Sequence, residues 1–66
     1  MTDFASWLRN FRMRRGLLQV DLAKMLGVNR VAIWSYEHRG SRPRPAVMNR
    51  LKRRFKLNGE IDRFLK

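Results

Sequence analysis

Cysteine is absent from the 66 residues, which removes disulfides and thiolate metal centres together and leaves packing, aided by a partner subunit, to hold the fold. Histidine occurs once, as His38. One imidazole cannot build a zinc cluster, and the residues around it offer no nucleophile and base arrangement, so no metal, no cofactor and no enzymatic activity are expected. Proline is scarce at two residues, and glycine at four, while 44% of the chain is hydrophobic. That composition suits a small bundle and not a disordered tail. Long apolar runs are also missing: none approaches the ~18 residues that span a bilayer. The opening Met1-Thr2-Asp3-Phe4 lacks the basic-then-apolar order of a signal peptide. A single domain over residues 1–66, cytoplasmic and without a membrane partner, is the expectation.

Acidic residues are the other shortage. Five Asp and Glu face sixteen Lys and Arg, for a net charge of +11. Such a field attracts polyanions and favours fast, salt-sensitive association, with nucleic acid as the first candidate and an acidic membrane as the second. Arginine outnumbers lysine twelve to four, and a planar guanidinium can hold a phosphate or a guanine edge through two hydrogen bonds.

What is present reads as helix. Thr2 or Asp3 can cap a first helix ending near Arg15, with Phe4, Leu8 and Phe11 on one stripe, Trp7 beside it and Gly16 as the stop. A second runs from about Gln19 to Leu26, with Asp21 at its positive end and Gly27 making the sharp turn. Asn29 caps a third, about Arg30 to His38. The loop Arg39-Gly40-Ser41-Arg42-Pro43-Arg44 ends that helix, and Pro45 opens a fourth, to about Lys56. On the fourth, Val47, Met48, Leu51 and Phe55 face inward, and Arg50, Lys52, Arg53 and Arg54 outward. Asn58 can cap a short fifth helix with Glu60 and Asp62 in its first turn and Ile61, Phe64 and Leu65 as its apolar side. No stretch alternates with period two, so no sheet is expected.

The second and third helical patterns share apolar positions Leu22, Ala23, Leu26, Val28, Ile33 and Tyr36, so that two short helices meet at a steep angle and leave the outer face of the second free. At this point the segment resembles the Cro and lambda-repressor-like helix-turn-helix family. Gln19, Leu22-Ala23, Leu26-Gly27-Val28, the capping Asn29, Ile33 and Tyr36-Glu37 follow in that family's order, and the likeness extends from about Leu8 to Pro45. It implies an all-α, compact five-helix lambda-repressor-like domain with the helix-turn-helix in helices two and three. It also matches Arg12 and Glu37 to an internal ion pair. The residues agree in kind, because Glu37 is the sole acid between Lys24 and Lys56 and a buried carboxylate needs a cationic partner. Three positions depart from the pattern. Leu18 stands where the family has a capping Ser or Thr, and Val31 and Trp34 are unusually apolar for a helix that faces a groove.

With Ile33 and Tyr36 turned to the core, Arg30, Val31, Trp34, Ser35 and His38 remain on or near the opposite face as candidates for base contact. Arg30 can take guanine O6 and N7, Val31 a thymine methyl, and Ser35 several base edges. Phosphate contact is expected of Gln19 and Asn29 at helix starts and of Arg39, Arg42 and Arg44 in the loop. The partner implied is an operator in double-stranded DNA, read by a homodimer whose assembly before or on DNA is left open, with Leu57, Ile61 and Phe64 as interface candidates. No small-molecule effector is expected. A Cro-type phage repressor is the leading reading, in a bacterial host; a DNA-binding antitoxin or a restriction-modification controller is the alternative.

Overall fold

The computed structural model describes residues 3–57, 59 and 61–64, Arg63 through its backbone alone. Its α-helices are α1 (Phe4–Arg14), α2 (Gln19–Leu26), α3 (Arg30–His38) and α4 (Pro45–Arg54). α3 lies against both α1 and α2, and α4 packs on α2.

Each helix begins for a readable reason. The Asp3 carboxylate accepts from the Ser6 backbone N–H at 2.9 Å, which starts α1 and holds the Asp3 carboxyl below its ordinary value by stabilising the anion. The Asn29 side chain accepts from the Ala32 N–H at 2.8 Å to start α3, and Pro45 supplies the first turn of α4. At α2 the missing Ser or Thr is replaced in part from within the helix, because Asp21 reaches back to accept from the Leu18 N–H at 2.9 Å.

Three helices stop by one device, a left-handed residue followed by a backbone N–H that closes on the carbonyl five residues back. Leu17 closes on Arg12 at 3.1 Å, Val28 on Ala23 at 3.0 Å and Leu57 on Lys52 at 2.9 Å. The left-handed residue is Gly16 in the first case and Gly27 in the second, but Lys56 in the third, at φ 54.

That third stop overturns the five-helix expectation. α4 ends at Arg54, short of Lys56, and among the described residues the C-terminal segment holds only a 3₁₀ turn, Asp62–Phe64. Having reversed at Lys56, the chain turns again at Gly59, φ 87, and two left-handed residues so close together interrupt the right-handed run a helix needs. The expected cap Asn58, with Glu60 and Leu65, lies outside the described residues, as does Thr2.

The core is one cluster: Phe4, Leu8, Leu22, Ala23, Leu26, Ile33, Met48, Leu51, Leu57, Ile61 and Phe64. Full burial of a side chain such as Leu8, Ile33 or Ile61 contributes roughly 1.5–3 kcal/mol before ordering costs. Phe4, Trp7, Phe11, Phe55 and Phe64 join through ring contacts with centroids 4.9–6.2 Å apart, and the Arg15 guanidinium covers Phe11 and Phe55 at 4.6 and 5.0 Å. Leu57, Ile61 and Phe64, for which the sequence leaves both core packing and a subunit contact open, are 4%, 0% and 7% exposed within this core.

Candidate nucleic-acid interface

α3 has two unlike sides. Its back carries Ile33 at 0% and Glu37 at 8% exposure, with Tyr36 packed partly behind them. Burial pushes the Tyr36 phenol above its ordinary value, against the opposing pull of the Arg44 charge. Among the described residues Glu37 is the only buried charged one, and both its oxygens have partners. Arg12 donates from Nε to Oε2 at 2.7 Å and from Nη2 to Oε1 at 3.1 Å, and Gln19 Nε2 reaches Oε1 at 3.3 Å. Arg12 also donates through Nη1 to the Leu17 carbonyl at 2.7 Å. One guanidinium thus ties α1, the α1–α2 joint and α3 together. A bidentate arginine fixes direction as well as distance, so α3 cannot roll about its axis without breaking parallel bonds.

A second brace works from α4. Arg50 donates to the Leu26 carbonyl at 2.7 Å, satisfying an otherwise orphaned acceptor at the end of α2. The same guanidinium lies where a Cβ on Gly27 would fall. Glycine at the joint of α2 and α3 is therefore required twice over, by its left-handed φ of 70 and by the cation seated against it.

The front of α3 is open. Arg30, Val31, Trp34 and His38 are exposed, Ser35 half-buried. Trp34 stacks on His38 with ring centroids 5.0 Å apart at 28°, and the Arg39 guanidinium sits 5.7 Å from the indole centroid. Ser35 shares a hydroxyl hydrogen bond with Ser41 at 2.8 Å, pinning the loop after α3 to the helix.

The expected phosphate contacts divide. Asn29, Arg39 and Arg44 are exposed beside α3, although the Asn29 carboxamide is used as a cap. Gln19 is turned inward to Glu37. Arg42 is engaged elsewhere: its Nη1 donates to the Phe64 carbonyl at 2.7 Å and its guanidinium lies over the Phe64 ring at 5.5 Å. With buried Pro43, it fastens the loop to the C-terminal turn. The bracing by Arg50 and Arg42 left no trace in sequence spacing, since the acceptors are backbone carbonyls 24 and 22 residues away.

Charge completes the contrast. Every described acid has a partner: Asp3 the Ser6 N–H, Asp21 the Leu18 N–H, Glu37 Arg12, and Asp62 Lys52 at 2.8 Å. No acid on α3 faces outward, because Glu37 is the only one it has. The surface around α3 is left to arginines, and a polyanion is its natural complement.

No curated protein and no solved structure matches the chain. A family model described as helix-turn-helix matches residues 8–60, a span that takes in α2, α3, both braces and most of α1. Two short helices joined at a left-handed glycine, the second locked from behind and cationic in front, are what that match describes in physical terms, and the chain belongs to the helix-turn-helix family of DNA-binding transcriptional regulators.

Proposed function

We propose that the protein is a Cro-type repressor which places α3 in the major groove of a pseudo-palindromic operator and blocks transcription by occupying it. The observation that carries this reading is the division of α3: a back held by Glu37, Arg12 and Gln19, and a front with Arg30, Val31, Trp34 and His38 in the open. An ordinary solvated helix face is polar, whereas this one sets the exposed apolar Val31 and Trp34 among cations and carries no acid.

Pairing follows from size. The described residues extend 25 × 24 × 22 Å, less than one turn of duplex at ~34 Å, so one copy covers too few base pairs for a unique address. Two copies on an inverted repeat supply the rest. Since Leu57, Ile61 and Phe64 are consumed by the core, the two-fold contact uses another surface. The site of action in this reading is DNA in the cytoplasm of a bacterial host.

In the proposed complex Arg30 takes a base edge near the start of α3, and Arg39 and Arg44 hold phosphates beside it. Selection of bound duplexes from a random pool tests the whole reading. Enrichment of an inverted repeat with half-sites about one helical turn apart is the expected result; a pool that stays random would remove it.

A further inference from the structure

The front of α3 is cationic at its ends and apolar in its middle. Val31 is 62% and Trp34 40% exposed, and three residues apart on a helix they share one face. Met13, Leu18 and Val20 are exposed as well; what sets Val31 and Trp34 apart is that they lie one turn apart on α3, between Arg30 at its start and Arg39 just past its end. The indole is not loose: His38 stacks on it and Arg39 lies across it, so its orientation is set before anything binds and little rotamer freedom remains to be lost.

Charge favours a polyanion as the occupant of this face, since Arg30 and Arg39 flank the pair and the sole carboxylate of α3 is turned inward to Arg12. The apolar feature that duplex DNA offers on its major-groove floor is the 5-methyl group of thymine. We infer that Val31 and Trp34 form a methyl reader, which makes the half-site thymine-bearing at the step facing the middle of α3. This rests on the reading that α3 enters the groove and adds which chemical group the groove must present there.

The test uses the operator recovered by selection, rebuilt with deoxyuridine for thymidine one position at a time, a change that deletes the methyl and keeps every base pair. At one or two positions in each half-site, affinity should fall about fourfold per methyl, the equivalent of one methylene returned to water. Val31→Ala or Trp34→Ala should bind the thymine operator more weakly and show no further loss with uracil. Both side chains lie outside the core, so an unchanged melting temperature certifies that the variants are folded.

Equal affinity of the wild type for thymine and uracil at every position, with sequence selection intact, overturns the methyl reader and leaves the DNA reading standing. A full uracil penalty persisting in both variants overturns it as well, since some other group then meets the methyl. A selection that enriches nothing takes both readings down. A concentration-dependent blue shift of tryptophan emission in the DNA-free protein that disappears in Trp34→Ala would mark a second copy as the occupant and also end the inference.

Discussion

The two sides of α3 share a backbone and differ in everything that fixes a side chain. Behind, Glu37 is held by two residues from two other helices, and Ile33 is sealed at 0% exposure. In front, the contacts made by Trp34 and Ser35 run to His38, Arg39 and Ser41, all within α3 or the loop that follows it. Stability therefore resides in the back and the proposed recognition in the front, and a change on one side should leave the property of the other nearly untouched.

The strongest way to break this comparison is Glu37→Ala. It strands the Arg12 guanidinium, whose side chain is only 14% exposed, and should cost about 3 kcal/mol by thermal or urea unfolding. Trp34→Ala, by contrast, should stay within ~0.5 kcal/mol of wild-type stability while weakening DNA binding. Equal losses of stability in the two variants would erase the distinction.

Next in size are the arginines of the front. Arg30→Ala should relax preference at one base position by about 1–3 kcal/mol, whereas Arg44→Ala should weaken all sequences alike and lower the salt slope by about one. Identical profiles from binding titrations over several salt concentrations would mean that the two residues share one role. Gly27→Ala probes the hinge between the sides. The left-handed φ and the Arg50 guanidinium together should make it cost roughly 1–2 kcal/mol of unfolding free energy, with affinity falling only as the folded fraction falls.

Lys56→Gly sharpens the comparison from outside α3. A non-glycine residue at φ 54 carries strain that glycine relieves, so the variant should gain up to about 1 kcal/mol in stability without altering operator affinity. The smallest effect belongs to Asp3. Its carboxyl is held below the ordinary value of 3.8 by the Ser6 N–H, so its contribution is complete above pH ~4 and lost as pH falls through the lower folded value. Asp3→Asn should flatten that acid limb of the melting curve and leave neutral-pH binding unchanged.

Legibility in the sequence followed the same division. α2 and α3 have the bounds read from Gln19, Leu26, Arg30 and His38, because caps, a glycine stop and apolar period coincide there. The Arg12 and Glu37 positions came through a family resemblance, supported by one acid standing alone in a basic stretch. The fifth helix was misread because the stop before it is Lys56, a residue with no bias toward left-handed backbone. Arg42 and Arg50 are exposed, as read from the sequence, but nothing local reveals that each guanidinium will also end on a distant carbonyl.

By itself the sequence determined that the chain is helical, strongly basic and built around a glycine joint, since period, caps and charge are local or additive properties. The tertiary structure alone decided which arginines serve as braces, and that Leu57, Ile61 and Phe64 close the core. The physical reason is that burial and hydrogen-bond partnership depend on which distant segments meet, and a backbone carbonyl that accepts an arginine is identical in sequence to one that accepts water.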